Sequence, residues 1–347
     1  MVAIRVDYNS RIGTGHLNRC LSIAYSLRDK GFNVCFIVSK DSEPSVVRHR
    51  GFVCEIVEES EYNNWCLEDE IKRLLLLKIK VVIIDSYYAK TEWIALIHRS
   101  IKVIYIDDLL RKELDVDVII NYNIEAVEQE YFNPLYPQRV HGIGIGFFPL
   151  NHEIKTEKKK KINRDVAEVL ITSGSTDPLL CIDCILSGIQ INEYPAVLFK
   201  VIIGKYTSEE YNNTLRHKWG IFSNIKFLPW GQDMKKVYST VDLVISPGST
   251  TVYEALSFGV PCITYEFAKN QHAECISLQE KGIAPYVGDF TRDLKQDISN
   301  RVNNTFRLEM LYPTRYEQYI LYKDLFDGNG TKRIAEMVER LINEESL

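Results

Sequence analysis

The sequence predicts an α/β protein built from two consecutive doubly wound, Rossmann-like domains, and three observations carry that expectation. Short runs of Val and Ile alternate with helix-patterned segments along most of the chain. The runs are apolar at nearly every position, as strands are when helices cover both faces of a parallel sheet. A charged stretch with no apolar face, Glu153-Ile-Lys-Thr-Glu-Lys-Lys-Lys-Lys-Ile-Asn163, separates two such series, and 347 residues suit two domains of roughly 150 residues each.

In the first domain, residues 1–152, strand Val2–Asp7 opens the chain, and Leu17, Leu21, Ala24 and Leu27 place a helix directly after it. Strands are expected at Asn33–Val38, Val81–Asp85, Val103–Asp107 and Val118–Asn121, with helices at Glu68–Leu77 and Thr91–Ser100. Residues 153–164 read as a linker whose lysine run is a solvated face. The second domain, 165–325, carries strand patterns at Ala167–Thr172, Ala196–Ile203, Ile225–Leu228, Leu243–Ser246, Cys262–Tyr265 and Ala284–Val287. A helix over Tyr316–Leu325 ends it, and 326–347 is a closing helical segment whose pattern, Thr331–Ile342, follows the turn Asp327-Gly-Asn-Gly330.

Composition excludes several classes. With 46% hydrophobic and 26% charged residues the chain is an ordinary globular one, and its net charge of -5, with no basic tail, argues against nucleic-acid and membrane-surface binding. The N-terminus starts on a β-type run without a charged leader, and no apolar run reaches about 18 residues, so a cytoplasmic protein without a membrane span is expected. Eight cysteines are scattered through apolar segments, as Cys35 and Cys262 are, and read as buried free thiols. Cys181-Ile-Asp-Cys184 has a suggestive spacing, but no second ligand pair accompanies it and no metal is expected.

In open α/β sheets ligands bind beyond the carboxyl ends of the strands, and two such domains facing each other would enclose a cleft. The segments after strands therefore carry the functional expectation. Arg11-Ile-Gly-Thr-Gly-His-Leu-Asn-Arg19 follows the first strand: Gly13 and Gly15 permit a tight turn and close backbone approach, and His16 stands at a helix start. The positive end of that helix disfavours imidazolium and keeps a neutral ring available as a base. A polar residue on a first helical turn is the plain alternative.

In the second domain Pro247-Gly-Ser-Thr-Thr-Val-Tyr-Glu254 repeats the strand, small-residue turn and helix start. The amides and hydroxyls of Gly248, Ser249, Thr250 and Thr251 suit a diphosphate, and Glu254 suits ribose hydroxyls. Thr251 and Glu254 also fit a capping box, in which Glu secures only its own helix. Ser173-Gly-Ser-Thr-Asp-Pro178 offers Gly174 and Ser175 as a second wall, or else ordinary helix-capping chemistry with Pro at the first position. Asn270 and Gln271, after strand Cys262–Tyr265, suit sugar hydroxyls or amide groups.

Three first-domain strands end in polar groups, Asp85-Ser-Tyr-Tyr88, Asp107-Asp108 and Asn121-Tyr-Asn123, and all three are expected near His16. Asp107 and Asp108 lack metal-ligand company and read as loop-capping or orienting groups. Gly13-Thr-Gly15 lacks the third glycine of a dinucleotide fingerprint, and no Walker A or Gly-x-Ser-x-Gly element is present.

Taken in order, Gly13-Thr-Gly-His-Leu-Asn-Arg19, Asp85-Ser-Tyr87, Ile106-Asp-Asp-Leu109, Asn121-Tyr-Asn123, Gly174-Ser-Thr-Asp-Pro178, Gly248-Ser-Thr250, Glu254, Asn270-Gln271 and Asp327-Gly-Asn-Gly-Thr-Lys-Arg-Ile334 span nearly the whole chain. The chain resembles the UDP-2,4-diacetamido-2,4,6-trideoxy-β-L-altropyranose hydrolases of pseudaminic acid biosynthesis. The resemblance implies a GT-B fold, in which the second domain binds UDP through Gly174, Ser175, Gly248, Ser249, Thr250, Thr251 and Glu254. It further implies that His16 is the base for a water that attacks the anomeric carbon, with inversion and without a metal or cofactor. Gly15, Arg19, Tyr87, Asn123, Asn270 and Gln271 would meet the sugar.

Three departures fall near the sugar pocket or its rim and bear on which sugar is bound. Ser86 stands where the family usually has His, Ser175 where it has a second glycine, and Phe147-Phe-Pro-Leu-Asn-His152 where it reads Tyr-Ala-Leu-Leu-Arg. The expected protein is a cytoplasmic, monomeric nucleotide-sugar hydrolase taking a small-molecule UDP-sugar. Its rivals are a glycosyltransferase of the same fold, with an acceptor hydroxyl in place of water, and a nucleotide-sugar-binding protein without activity.

Overall fold

The computed structural model describes residues 1–9, 14–57, 67–154 and 161–344. The chain divides into two compact units, Met1–His152 together with Gly328–Leu347, and Glu153–Asp327. The expected linker contains residues 155–160, which lie outside the described residues.

The first unit is a parallel sheet of strands β1 (Val2–Val6), β2 (Val34–Ser39), β3 (Val53–Val57), β4 (Val81–Asp85), β5 (Lys102–Ile106), β6 (Val118–Asn121) and β7 (Val140–Ile143), in the order β3-β2-β1-β4-β5-β6-β7. Val2 of β1 pairs with Val34 on one side and Val81 on the other. Helices α1 (Gly15–Asp29), α2 (Pro44–His49), α3 (Leu67–Leu76) and α4 (Thr91–His98) connect the strands. Every residue of β1 is buried, because side chains on both faces of a central parallel strand meet covering helices. Ala3, Ile37, Val82, Ile84, Trp93, Ile97 and Tyr105 belong to the core on one of those faces.

Strands β3 and β7 were not expected from the sequence. Both are edge strands, and edges have less to bury: Val53 is 60% exposed and Val140 47%. Their sequences, Val-Cys-Glu-Ile-Val and Val-His-Gly-Ile, therefore lack the unbroken apolar run that marks the interior strands.

The second unit repeats the plan with β8 (Glu168–Thr172), β9 (Leu198–Ile202), β10 (Ile225–Leu228), β11 (Leu243–Pro247), β12 (Cys262–Glu266) and β13 (Tyr286–Asp289), all parallel, in the order β10-β9-β8-β11-β12-β13. Its helices are α5 (Cys181–Ile189), α6 (Glu209–Trp219), α7 (Met234–Thr240), α8 (Thr250–Ser257), α9 (His272–Glu280), α10 (Lys295–Glu309) and α11 (Tyr312–Tyr322). Helix α11 starts four residues before the expected Tyr316 because Pro313 sits in its first turn, where a missing N–H costs nothing. Cys181 and Cys184 belong to the core on α5, and burial pushes both thiols up, away from the reactive thiolate. The last helix, α12 (Gly330–Glu344), returns to the first unit and packs on α1.

Each sheet has one place where the strand order reverses, between β1 and β4 and between β8 and β11. Loops leaving the carboxyl ends of those strands diverge to opposite faces and leave a crevice.

Candidate functional site

His16 lies at the first of these reversals. The segment Ser10–Gly13 is outside the described residues. Helix α1 starts at Gly15, with Thr14 in the capping position and no side-chain cap hydrogen bond. His16 is its second residue and is buried. Asp85, the last residue of the neighbouring strand β4, places Oδ1 2.6 Å from His16 Nδ1.

Arg19, one turn further along α1, binds the same carboxylate on both oxygens, Nε to Oδ2 at 2.6 Å and Nη2 to Oδ1 at 2.5 Å. Its Nη1 donates to the Tyr122 hydroxyl, and Nη2 donates to Asp108 Oδ2 at 3.0 Å. Tyr87 closes the group: its hydroxyl donates to Asp108 Oδ2 at 3.0 Å, and its ring meets the His16 ring edge-on at 4.6 Å.

The charge on Asp85 fixes the tautomer of the neutral His16 ring. Burial works to raise the Asp85 carboxyl, but the Arg19 charge, His16 and their hydrogen bonds together hold it well below the usual carboxylate range. An ionised carboxylate only accepts, so at 2.6 Å Nδ1 carries the hydrogen and donates it to Asp85. In the neutral ring Nε2 then bears the lone pair, and it has no hydrogen-bond partner among the described residues. Arg19 Nη2, 2.9 Å from Nδ1, is a neighbour sharing Asp85 Oδ1 rather than a donor to the ring. For Arg19 itself burial opposes the charge, but Asp108, Asp85 and Tyr122 outweigh it and keep the guanidinium firmly protonated.

The sequence expectation for His16 weighed only the helix dipole, worth about half a charge. The structure adds a full carboxylate in contact with Nδ1, that of Asp85, which the sequence places near His16 as a polar strand end but gives no role. The signal was the strand order: β4 neighbours β1, so its last residue faces the start of α1.

The three polar strand ends separate in role. Asp108 joins the His16 group through Arg19 and Tyr87. Asp107 instead accepts the Leu109 and Arg111 amides at 2.9 and 2.8 Å and the Tyr131 hydroxyl at 2.8 Å, so it holds its own loop. Asn123 is half-buried and, among the described residues, bonds only through its own backbone, its N–H to Asn121 Oδ1 at 2.9 Å and its carbonyl to the Ala126 N–H. Ser86 is buried, donates to Asp7 and accepts the Tyr88 amide, so the departure from His at this position serves the loop.

Gly15 is not held as glycine by its backbone conformation or by the described neighbours. Its φ is not in the left-handed region, and a Cβ there would meet nothing within 4 Å among the described residues. Among the described residues nothing demands glycine at this position.

In the second unit the reversal is flanked by Gly174–Ser175 after β8 and Gly248–Thr251 after β11. Gly174 has φ +74°, a conformation open to glycine at little cost, and its N–H donates to Thr172 Oγ1 at 3.2 Å. Gly248 is needed for close approach, since a Cβ would stand 2.5 Å from Cys275 Sγ and 3.0 Å from the Gln271 carbonyl oxygen. Ser249 caps α8 by position only, and its hydroxyl turns back to the Pro247 carbonyl at 3.2 Å. The first-turn amides of α8 thus have no side-chain acceptor, which is the condition for anion binding at a helix start.

The capping-box alternative for Glu254 does not hold, because Thr251 lies inside α8 and the cap is Ser249. Glu254 instead accepts from the Tyr238 hydroxyl at 3.2 Å. Burial pushes its carboxyl up to about 7, against the pull of that hydrogen bond. Asp177 does cap a helix: it takes the Cys181 and Ile182 amides at 2.8 and 3.1 Å, and α5 starts at Cys181 rather than at Pro178. Asn270 is exposed, whereas Gln271 uses its side-chain carbonyl on the Phe267 and Ala268 amides at 2.9 and 3.2 Å. Only the Gln271 NH2 remains for a ligand.

Two doubly wound parallel-sheet domains with helices define a fold of the GT-B type. Acinetobacter baumannii MurG superposes with a TM-score of 0.67 over 98% of this chain and 99% of its own, at 14% identity. A Staphylococcus aureus MnaA structure solved with UDP gives 0.66 over 99% and 96%, at 13% identity. Residues 168–307 match the family model "Glycosyltransferase family 28 C-terminal domain". Among sequence relatives, the spore coat polysaccharide biosynthesis protein SpsG of Bacillus subtilis is 21% identical over 352 residues, 99% of each chain. The uncharacterized protein MJ1062 of Methanocaldococcus jannaschii is 22% identical over 355 residues, covering 99% of this chain but 66% of that relative's length. No helix among the described residues is long and apolar enough to cross a membrane.

Proposed function

We propose that the protein is a nucleotide-sugar hydrolase that releases UDP from a 2,4-diacetamido-2,4,6-trideoxyhexose of the pseudaminic acid type. The observation that carries the reading is the His16–Asp85 pair: Nδ1 is committed to a buried carboxylate, so the neutral ring offers Nε2 as the base. In this reading a water beside Nε2 loses its proton to His16 as its oxygen bonds to the anomeric carbon. The bond from that carbon to the diphosphate oxygen breaks, its electron pair leaves with UDP, and Asp85 stabilises the imidazolium formed.

The charges make that proton uptake favourable in kind. Arg19 carries one positive charge and Asp85 and Asp108 two negative ones, so a proton on His16 neutralises the group. Departing UDP accumulates negative charge, for which the α8 first-turn amides and the Thr250 and Thr251 hydroxyls are suitable donors. Glu254 is assigned to ribose, and Tyr87, Asn123, Asn270 and Gln271 to the sugar. The UDP co-structure of MnaA and the polysaccharide pathway named for SpsG support the ligand class.

A glycosyltransferase is the second reading, favoured by the family 28 domain match over 168–307. The same base would then deprotonate an acceptor hydroxyl. Incubating the protein with UDP-, GDP- and CMP-sugars, without acceptor and with EDTA present, separates the two. The hydrolase is expected to release UDP, and His16→Asn to slow release by about a hundredfold or more. Equal release by the variant refutes the base; release only on adding an acceptor installs the transferase. Binding without release at any enzyme concentration leaves a binding protein.

A further inference from the structure

The resemblance brings Arg19 to the sugar, but the structure leaves its guanidinium nothing to offer one. A guanidinium has five N–H donors and no acceptor, and among the described residues all of those on Arg19 are taken. Nε donates to Asp85 Oδ2 at 2.6 Å, and Nη2 to Asp85 Oδ1 at 2.5 Å and Asp108 Oδ2 at 3.0 Å. Nη1 donates to Asp108 Oδ1 at 3.3 Å and to the Tyr122 hydroxyl. The side chain is 7% exposed.

These contacts complete a circuit around the base of the proposed function. His16 binds Asp85, Asp85 binds Arg19, Arg19 binds Asp108, and Asp108 accepts from the Tyr87 hydroxyl, whose ring returns to the edge of His16. The Cys20 thiol donates to Asp85 Oδ2 at 3.3 Å, so each oxygen of Asp85 has two donors and the carboxylate cannot turn. Asp107 already holds the loop after β5, which leaves the Asp108 carboxylate for Arg19 and Tyr87.

We infer that Arg19 is a positioning residue for the proposed reaction and not a sugar contact, with Asp108 as its anchor. Arg19 holds Asp85 against His16 Nδ1, and Asp108 holds Arg19 and Tyr87. Asp108 also acts through its charge. Its Oδ2 is 3.0 Å from Arg19 Nη2, which is 2.9 Å from His16 Nδ1, so a negative charge within about 6 Å favours the proton that His16 takes from water. The charged groups facing the ring among the described residues are Asp85 from β4, Arg19 from α1 and Asp108 from the loop after β5; burial pushes the Tyr87 and Tyr122 hydroxyls up and keeps them neutral. The inference rests on the hydrolase reading and assigns the work of two residues within it.

Steady-state release of UDP from UDP-2,4-diacetamido-2,4,6-trideoxy-β-L-altropyranose, followed against pH, tests it. Arg19→Lys keeps the charge but loses the planar fork that grips both oxygens of Asp85. It should lower kcat about tenfold or more with KM little changed, because the base loses its orientation while the sugar loses no contact. Asp108→Asn keeps the shape and removes one negative charge, so a proton on His16 no longer neutralises the group. The acidic limb of kcat/KM should then move to lower pH by about one unit, a shift that a packing defect does not produce. If Arg19→Lys does not fold, the limb in Asp108→Asn still decides. A raised KM with kcat retained in Arg19→Lys would make Arg19 a sugar contact and overturn the inference, and an unmoved limb in Asp108→Asn would overturn it as well; in both cases release by the wild type leaves the hydrolase reading standing. A wild type that releases no UDP overturns that reading and this inference with it.

Discussion

His16 and Asp85 work as one unit: the ring helps to hold the carboxylate ionised, and the carboxylate selects the ring's tautomer. The carboxylate is held ionised chiefly against burial by Arg19 and His16, and once ionised it permits only the Nδ1–H tautomer. Asp85→Asn keeps the shape but removes the charge that orients the ring and stabilises the imidazolium. We expect kcat for UDP release to fall about a hundredfold or more with KM little changed; an unaltered kcat would detach Asp85 from the chemistry. Gly15→Ala distinguishes fold from function at the neighbouring residue. No atom among the described residues crowds a Cβ there, and Ala favours a helix, so the melting temperature should hold or rise slightly. If Gly15 is glycine to let a sugar approach, KM should rise several-fold; unchanged kinetics would leave the residue without a role. His16 and Arg19 were legible in the sequence because a strand, a turn and a helix start in a row fix where a side chain stands. Asp85 was visible only as a polar strand end, since the partner of a strand-end residue depends on which strand lies alongside.

At the scale of elements, legibility follows burial. Interior strands such as Val81–Asp85 are written in unbroken apolar residues, whereas β3 and β7, each with one neighbour, carry Glu55 or Gly142 in mid-strand and pass for loops. The pairing of α10 with α11 was equally hidden, because it is partly polar inside. Arg315 is fully buried and donates to the carbonyls of Asn163 and Arg164 at 2.9 Å each, and Gln318 donates to Glu309 at 2.6 Å. Burial pushes the Glu309 carboxyl from an ordinary 4.5 up to about 7, against the Gln318 hydrogen bond and the Arg315 charge. A carboxyl with a raised folded-state pKa keeps its proton in the native state where the unfolded chain has lost it. Its contribution is therefore intact below about pH 4.5 and lost as pH rises through about 7, on the order of 3 kcal/mol. Glu309→Gln can retain the Gln318 contact without ionising. Urea unfolding should find it as stable as the wild type at pH 4.5 and more stable at pH 8; equal stability at both would assign Glu309 no linkage. Gly248→Ala acts between elements: a Cβ 2.5 Å from Cys275 Sγ must push α9 away from the turn before α8. Overpacking of this kind costs about 1–3 kcal/mol, and UDP affinity should fall together with the melting temperature. A variant that melted normally yet lost UDP would place the effect at the ligand.

For the molecule as a whole, the informative fact is that the chain leaves its first unit, builds the second, and comes back. Periodicity predicted the closing helix but not its destination, because an apolar stripe says that a helix is covered and not by what. Its apolar side chains Ile334, Val338 and Leu341 are buried, Arg333 donates to the Gly146 carbonyl at 2.7 Å, and Lys30 of α1 meets Glu339 at 2.6 Å. Helix α12 thus stabilises α1, the helix that carries His16 and Arg19, although none of its own residues belongs to the candidate site. Ending the chain after Asp327 would expose the surface that those three side chains cover, at a cost of roughly 5–8 kcal/mol, comparable with the whole stability of an ordinary domain. Hydrogen exchange should then show lost protection in α1, β1 and β4 while β8 and β11 keep theirs, and UDP release should fail although UDP is still bound. Equal loss of protection in both sheets would mean that α12 supports the molecule generally. Unchanged protection in α1 would mean that the first unit is complete at His152 and that the return of the chain serves some purpose other than holding the helix that carries His16 in place.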